Sequence, residues 1–396
     1  MLAVLAPGQG SQKPGFLTPW LALPGAEARL RWWSTLAGVD LLHLGTEADA
    51  EEIRDTAKTQ PLLVAAGLLA AEHLPLYDVA LVAGHSVGEI TAAALSGAFT
   101  PETAIAFAGI RGREMAAACA QEPTGMSAVL GGDPDEVLAA IEAAGLHPAN
   151  RNGAGQVVAA GPLSGLEKLA ANPPAGARVT ALKVAGAFHT PYMAPAEAAL
   201  EAVAPGIRYS DPTRLLLSNA DGSAVSTGSE LVVRLIRQVT LPVRWDLCMR
   251  TLADLGVTGV IELTPAGTLA GLIKRELKGD AAPEIVKVNT PDDLPAARDL
   301  IARHGTPAHI VPEPTVHFRV VVANAAGTFQ PGQLTEGTEV TSGQVIGQVV
   351  TRQGPTDITA TASGVLVEWL AHPEDPVAPG QPLARISPTA IPGGSR

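Results

Sequence analysis

Cysteine, charge and aromatic side chains are all scarce in this chain. Among 396 residues the only cysteines are Cys119 and Cys248, which excludes a disulfide framework and a cysteine-rich zinc site and favours a reducing compartment. Charged residues make up 17% of the chain and aromatic residues 4%, while apolar residues make up 46%. This composition is typical of a globular protein with a large core and excludes a mainly disordered chain.

Basic residues are also in short supply. The formal net charge is −12, and acidic residues outnumber basic ones both before and after residue 305, which argues against binding to nucleic acid or an anionic membrane. No apolar run approaches the roughly 20 residues that span a bilayer, and the N-terminal sequence lacks the pattern of a signal peptide. We therefore expect a soluble, cytoplasmic protein.

Up to about residue 303, short strand-like runs alternate with alanine-rich helical stretches. This alternation predicts a doubly wound α/β fold with a mainly parallel sheet. The clearest predicted strands cover residues 2–6, 79–83, 215–218, 259–263 and 285–288. Between about 125 and 187 the predicted order is β-α-β-α-β, with strands at 126–130, 156–160 and 177–184, which favours a small inserted ferredoxin-like subdomain.

The pattern of predicted secondary structure changes near residue 305. A proline-containing linker is predicted over 306–314, and an all-β domain over 315–390, because short β-type runs there are separated by glycine and proline turns. One pattern in this tail occurs twice, which predicts a two-fold symmetric β-sandwich. The first copy is Val340, Gly343-Gln344, Ile346 and Val349, and the second is Val377, Gly380-Gln381, Leu383 and Ile386.

The run Gly84-His85-Ser86-Val87-Gly88-Glu89 lies between a predicted strand and a predicted helix. A serine between two glycines at such a junction is the pattern of a nucleophile elbow, in which a sharp turn exposes the hydroxyl above the sheet. The same turn would place the amide of Val87 where it can stabilise an oxyanion. The alternative is a serine in an ordinary loop between strand and helix.

A serine nucleophile needs a nearby base, and nine histidines are available. His189 lies in a glycine-containing loop after a predicted strand, whereas His85 is adjacent to Ser86 and is expected to give structural support. A plain loop histidine remains the alternative for His189. A second glycine-rich turn, Pro7-Gly8-Gln9-Gly10, follows the first strand; its spacing is weak support for a dinucleotide site.

Five motifs together resemble the malonyl-CoA:acyl carrier protein transacylases and the related acyltransferase domains of fatty-acid and polyketide synthases. They are Gly8-Gln9-Gly10-Ser11-Gln12, the Gly84 to Glu89 run, Arg111-Gly112-Arg113, Gly186-Ala187-Phe188-His189 and Pro242-Val243-Arg244-Trp245. The resemblance covers roughly residues 1–303. It implies an acyltransferase domain over 1–305, with an α/β-hydrolase-like part, the inserted subdomain, and the active site between them.

The resemblance also implies a role for particular residues. Ser86 would be the nucleophile and His189 its base, oriented by the backbone carbonyl of Gln238, while the amides of Gln9 and Val87 would form an oxyanion hole. Arg111 would bind the malonyl carboxylate, and Phe188 would exclude an α-methyl group. Further substrate-channel positions, carried over from the family, are Gln60, Met126, Asn150 and Asn152.

The function implied is transfer of malonyl from malonyl-CoA to the phosphopantetheine thiol of acyl carrier protein, for fatty-acid or polyketide synthesis, with no metal or redox cofactor. Two alternatives remain. A thioesterase or other α/β-hydrolase shares the elbow but normally adds an acid between serine and histidine. A non-catalytic scaffold would use the tail to recruit another lipid-synthesis enzyme.

The tail resembles the biotinyl/lipoyl-attachment domains, whose lysine lies at a hairpin between the repeats. The corresponding turn here reads Arg352-Gln353-Gly354-Pro355-Thr356-Asp357, and Lys287 is the last lysine of the chain. Neither biotin nor lipoate is therefore expected on this domain, which is interpreted as a docking or packing module.

Overall fold

The structure is a computed structural model that describes residues 1–306 and 319–388. The chain divides into two compact units, Met1–His309 and Ile310–Arg396. Apart from Thr306, the predicted linker lies outside the described residues, as do both ends of the predicted β domain. None of the helices in the described ranges has the length and apolar character that crossing a membrane requires.

The first unit contains ten strands and twelve α-helices within its described residues. The strands are β1 Leu2–Ala6, β2 Leu81–Gly84, β3 Thr124–Gly131, β4 His147–Gly153, β5 Gln156–Pro162, β6 Ala177–Ala181, β7 Leu215–Leu216, β8 Val243–Arg244, β9 Gly259–Glu262 and β10 Glu284–Lys287. The helices are α1 Ala26–Ala37, α2 Leu41–Thr46, α3 Thr56–Ala71, α4 Gly88–Leu95, α5 Pro101–Cys119, α6 Pro134–Ala143, α7 Leu163–Ala171, α8 Ala194–Val203, α9 Gly228–Arg237, α10 Trp245–Asp254, α11 Thr268–Glu276 and α12 Leu294–His304.

A five-stranded parallel sheet, in the order β10-β9-β1-β2-β7, forms the centre of this unit. Its central strand is buried on both faces: Leu2 and Val4 pack into one apolar core, and Ala3 and Leu5 pack into the other. Strands covered on both sides read as continuous apolar runs, which is why the inner strands β1, β2 and β9 were predictable from sequence to within about two residues. The bounds of the edge strands β7 and β10 were predicted equally closely. The prediction of an α/β fold with a parallel sheet is confirmed.

A second sheet has the order β6-β3-β5-β4-β8, in which the contacts among β3, β4, β5 and β6 are antiparallel. The element order β3-α6-β4-β5-α7-β6 differs from the prediction by one strand. The sequence of β4, His147–Gly153, is polar and contains Pro148, so its local pattern is that of a loop; pairing with β5 makes it a strand. β6 ends at Ala181 rather than at 184, and Leu182 and Val184, which follow it, line the cavity described below.

The described part of the second unit is all β. Its strands are β11 Arg319–Val322, β12 Gly327–Pro331, β13 Glu339–Val340, β14 Val345–Thr351, β15 Gly354–Thr359, β16 Gly364–Trp369, β17 Pro376–Val377 and β18 Pro382–Pro388. They form two antiparallel sheets, β11-β18-β16-β13 and β15-β14-β12-β17, which contribute to one shared apolar core.

The two copies of the sequence repeat form the same turn. Gly343 and Gly380 both have φ of 84°. The side chain of Gln344 accepts a hydrogen bond from the backbone of Thr341 at 2.9 Å, and the side chain of Gln381 accepts one from the backbone of Ala378 at 3.1 Å. The residues that recur in the sequence therefore form the same type of turn in both copies.

The turn between β2 and α4 places Ser86 at the carboxyl edge of the parallel sheet. Ser86 has a φ of 53°, in the left-handed region that side chains rarely occupy. A Cβ on Gly84 would lie 2.0 Å from the backbone carbon of Gly88, and a Cβ on Gly88 would lie 2.2 Å from the backbone oxygen of Ala6. Close backbone packing thus requires both glycines of the motif: Gly84 packs against the start of α4, and Gly88 packs against the end of β1.

We expect Gly84→Ala to lower the free energy of unfolding of this unit by about 2 kcal/mol or more, because the added methyl group has no space. The matched control is Gly206→Ala, since no atom lies within 4 Å of the position where its Cβ would be, and we expect a change below about 1 kcal/mol. The measurement is urea unfolding followed by tryptophan fluorescence, because Trp20, Trp33 and Trp245 are buried in this unit. Equal midpoints for the two variants would contradict the packing argument.

Candidate active site

His189 lies directly opposite the nucleophile candidate. Its loop follows β6, and its backbone amide donates to the carbonyl of Val239 at 3.0 Å, which fixes the turn at a φ of 60°. The Nε2 atom of His189 is 2.8 Å from Oγ of Ser86, and Nδ1 is 2.7 Å from the backbone oxygen of Gln238. A carbonyl oxygen can only accept, so Nδ1 carries the proton and Nε2 is the acceptor that faces the Ser86 hydroxyl.

The protonation state of His189 is set by its surroundings. The side chain is 4% exposed, and burial together with the nearby charge of Arg111 lowers its pKa to about 3. Both effects disfavour a charged imidazole. His189 is therefore neutral at physiological pH, which is the form that can accept a proton from a serine hydroxyl.

Arg111, from the middle of α5, places a buried guanidinium beside this pair. Its Nη1 donates to Oε1 of Gln60 at 2.6 Å and its Nη2 donates to Oε1 of Gln238 at 2.8 Å; the same Nη2 is 3.4 Å from Oγ of Ser86. Burial lowers the pKa of Arg111 to about 10, and the charge of Glu89 opposes that shift. The guanidinium thus keeps its positive charge at neutral pH, directly behind the hydroxyl.

A cavity of about 80 Å³ opens in front of Ser86 and His189. Predicted site residues that line it are Gln9, Gln60, Ser86, Val87, Met126, Asn150, Phe188 and His189; other lining residues are His85, Met115, Val158, Leu182 and Val184. Arg111 and Gln238 lie one layer behind this lining, at the distances given above. The structure thus brings together residues from both sheets of the unit.

Gln9 and Val87 both line the same cavity. Within residues 1–306 and 319–388, neither backbone amide donates a hydrogen bond to a protein acceptor. The side chain of Gln9 is tied at 3.4 Å to the backbone oxygen of Arg54, which helps to hold this turn in place. Two amides without a protein acceptor, in residues that line the cavity beside Ser86, are candidates for an oxyanion hole.

One predicted substrate-channel residue lies elsewhere. Asn152 does not line the cavity; its Oδ1 is 2.9 Å from Nε2 of His85, so its side chain is engaged in holding that ring. The ring of His85 also packs edge-on against Trp245, with centroids 5.8 Å apart. His85 accordingly has a supporting position beside Ser86, whereas Asn150, two residues before Asn152 on β4, does line the cavity.

Sequence reasoning missed two buried polar residues behind the elbow, Glu89 and Asn219. The amide of Ser86 donates to Oδ1 of Asn219 at 2.7 Å, and Nδ2 of Asn219 donates to the carbonyl of Gly84, also at 2.7 Å. Glu89 is 1% exposed and accepts hydrogen bonds from Asn219 and Gln238. Two features of the sequence could have indicated these residues. Glu89 is the only charged residue in the mainly apolar α4, and Asn219 is a polar residue that follows β7 at the carboxyl edge of the sheet.

Throughout the part of the chain that the structure describes, no group of three or more histidine, cysteine or acidic side chains has the arrangement of a metal site. The two cysteines are separate, and burial raises the pKa of the Cys119 thiol to about 11.

Comparison with known proteins gives one consistent family. The acyl transferase domain model matches residues 5–300. The malonyl CoA-acyl carrier protein transacylase of Mycobacterium bovis is 56% identical over 299 residues, covering 74% of this chain and 98% of that protein.

Solved structures agree with the sequence relatives. The crystal structure of MCAT from Mycobacterium tuberculosis has a TM-score of 0.72 and 55% identity, and the match covers 75% of this chain and 99% of that one. A malonyl-transacylase solved in complex with its type II PKS acyl-carrier protein has a TM-score of 0.69 and 30% identity, covering 75% and 99%. From the family match and these relatives, the chain belongs to the acyl transferase family, among the malonyl CoA-acyl carrier protein transacylases.

Proposed function

We propose that this protein transfers the malonyl group of malonyl-CoA to the phosphopantetheine thiol of acyl carrier protein through a malonyl ester on Ser86. The observation that carries the proposal is the meeting of three groups: Ser86 and His189 line one small cavity, and Arg111 lies directly behind Ser86. A nucleophile, a neutral base and a buried cation are the three groups that attack on a thioester bearing a free carboxylate requires. The names of the relatives support the same substrates.

In the first half-reaction, Oγ of Ser86 forms a bond to the thioester carbonyl carbon while its proton passes to Nε2 of His189. The negative charge that develops on the carbonyl oxygen is stabilised by the amides of Gln9 and Val87, and loss of one such donor typically costs on the order of 10²–10³ in rate. The carbon–sulfur bond then breaks, and the departing sulfur takes the proton from His189. The products are free CoA and malonyl-Ser86.

In the second half-reaction, the thiol of the carrier's phosphopantetheine arm gives its proton to His189 and attacks the malonyl ester. The bond to Oγ of Ser86 breaks, and the hydroxyl recovers its proton from His189. One thioester is exchanged for another, so neither an oxidant nor a metal is consumed, and no cofactor is part of the proposal. The acceptor carrier serves fatty-acid or polyketide synthesis, and the proposed location is the cytoplasm.

Arg111 is the proposed carboxylate-binding residue, since a planar guanidinium can pair with both carboxylate oxygens. Gln60 fixes the guanidinium from one side at 2.6 Å. Phe188, Met126 and Asn150 border the acyl cavity, which at about 80 Å³ suits a small acyl group. A hydrolase of the same general type is the less favoured alternative, because Nδ1 of His189 meets the carbonyl of Gln238 and not a carboxylate.

For the second unit we propose a biotinyl/lipoyl-like barrel-sandwich fold that carries no prosthetic group, and for β3 to β6 with α6 and α7 a ferredoxin-like subdomain. The two antiparallel sheets with one core support the first assignment, as does the repeated turn. The hairpin between β14 and β15 turns at Arg352 and Gln353, where an attachment lysine would stand. The unit is proposed to dock onto another lipid-synthesis enzyme.

Mixing the protein with malonyl-CoA in the absence of carrier should add the mass of one malonyl group, because Ser86 is acylated and has no acceptor. Ser86→Ala should show no such addition. Intact-mass spectrometry measures both, and the unreacted chain isolated from cells should carry neither a biotinyl nor a lipoyl increment. A malonyl adduct that survives Ser86→Ala would overturn the mechanism, and rapid release of free malonate would favour the hydrolase.

Arg111→Ala should lower kcat/KM for malonyl-CoA by about 100-fold, since a charged hydrogen-bonded pair is lost, while acetyl transfer increases. The matched control is Arg113→Ala on the same helix, whose guanidinium donates to the carbonyl of Ala37 at 3.0 Å and does not line the cavity. Steady-state kinetics with both acyl-CoA substrates test this expectation. An unchanged preference for malonyl over acetyl in the Arg111→Ala protein would disprove the assigned role.

The pKa of His189, lowered to about 3, predicts that Ser86 keeps its base down to low pH. Protonation would remove the base only as the pH falls toward 3, so the rate should not decline through the ordinary histidine range near 6.5. The measurement is the rate of Ser86 modification by a neutral sulfonyl fluoride between pH 8 and pH 5, a reagent that has no carboxylate for Arg111. Glu89, with a pKa raised to about 7, is connected to Ser86 through Asn219, so the same profile is recorded for Glu89→Gln. An acid limb centred near 6.5 in both proteins would show that His189 is not held neutral.

A further inference from the structure

Glu89, the second residue of α4, is a buried carboxylate for which the proposed mechanism has no use. It is 1% exposed. Its Oε2 accepts a hydrogen bond from Nε2 of Gln238 at 2.5 Å and another from the backbone amide of Asn219 at 3.2 Å. A buried charge is costly unless neighbouring groups compensate it, so the groups that contact Glu89 should indicate its function.

Gln238 connects Glu89 to Arg111. A carboxylate only accepts and a guanidinium only donates, so the amide NH₂ of Gln238 must face Glu89 while its oxygen faces Arg111. The distances agree: 2.5 Å from Nε2 to Glu89 and 2.8 Å from Arg111 Nη2 to Oε1. Two opposite buried charges are therefore joined through one amide, which polarises both hydrogen bonds in the same direction.

We infer that Glu89 is a positioning residue for acyl-group selection: through the side-chain amide of Gln238 it orients Arg111 and balances its charge for the malonyl carboxylate. This inference rests on the proposed function. Glu89 itself does not line the cavity, so its effect on the substrate is indirect, and the route inferred here runs through Gln238 and Arg111.

The indirect connection has a physical advantage over a direct ion pair. Nη1 and Nη2 of Arg111 are bonded here to the neutral oxygens of Gln60 and Gln238. A charged carboxylate in the same place would bind these donors more strongly and would compete with the malonyl carboxylate. In the arrangement seen here, the negative charge of Glu89 acts on Arg111 through Gln238, whose neutral oxygen is the atom that contacts the guanidinium. Nε of Arg111, which is buried and has no hydrogen-bond partner among the described residues, remains available.

A purely structural role is the competing explanation. Glu89 also holds the backbone of Asn219, and Asn219 in turn holds the amide of Ser86 at 2.7 Å. Loss of Glu89 through this second connection would disturb the elbow and slow every acyl group equally. The two explanations are therefore separated by comparing a charged acyl group with a neutral one.

The test is Glu89→Gln in the full chain, which removes the charge and keeps the size of the side chain. We expect KM for malonyl-CoA to increase on the order of tenfold, while acylation by acetyl-CoA changes by less than about threefold. The matched control is Glu262→Gln. Glu262 is another buried carboxylate, at the carboxyl end of β9 in the parallel sheet. It accepts hydrogen bonds from the amides of Gly267, Leu269 and Ala270, and it does not line the cavity.

Equal losses for malonyl and acetyl, or an unchanged malonyl-to-acetyl ratio, would overturn the inference while wild-type acylation still supports the proposed function. Glu89→Asp, which keeps the charge, should recover part of the malonyl preference. Failure of the wild-type protein to form malonyl-Ser86 would instead refute the proposed function.

A second measurement needs no variant that could fail to fold. Burial raises the pKa of Glu89 to about 7. The other titratable groups around it do not change their protonation state between pH 8 and pH 6. Arg111 stays cationic with a pKa of about 10. The Cys248 thiol stays neutral because its pKa is raised, and His189, bonded to the Gln238 carbonyl, stays neutral because its pKa is lowered. The wild-type malonyl-to-acetyl ratio should therefore decrease as the pH falls from 8 to 6, and a constant ratio would overturn the inference.

Discussion

The positive charge of Arg111, buried directly behind Ser86, is the constraint on which the site depends. A guanidinium that is 1% exposed must be compensated by its neighbours, and Gln60 and Gln238 provide oxygen acceptors at 2.6 and 2.8 Å. The same charge helps to keep His189 neutral. In the proposed mechanism, substrate selection and base strength are therefore coupled, because one buried cation acts on both.

The parallel sheet explains how residues far apart in the sequence reach this cation. The carboxyl ends of β1, β2 and β7 lie side by side, and they deliver Gln9, Ser86 and Asn219 to one edge. His189 arrives from the loop after β6, in the antiparallel layer, and is fixed by the backbone around Gln238. The reactive pair thus joins the two sheets of the first unit.

Local pattern was enough to predict the parallel strands and the elbow, because apolar runs and the two glycines of the motif each have a single physical cause. It was not enough for β4, whose polar sequence becomes a strand only through pairing with β5. Nor could it predict the hydrogen bond between Asn152 and His85, or the one between Glu89 and Gln238, which are 149 positions apart in the sequence. Contacts of that kind depend on the assembled fold, and no sequence window contains both partners.

The most direct test of the account is a crystal structure of the acyl-enzyme formed with malonyl-CoA in the absence of carrier. The account predicts an ester on Oγ of Ser86, with the carbonyl oxygen about 3 Å from the amides of both Gln9 and Val87 and the free carboxylate paired with Arg111. A malonyl group whose carboxylate points into solvent, away from Arg111, would contradict the claim that this buried cation selects the acyl group.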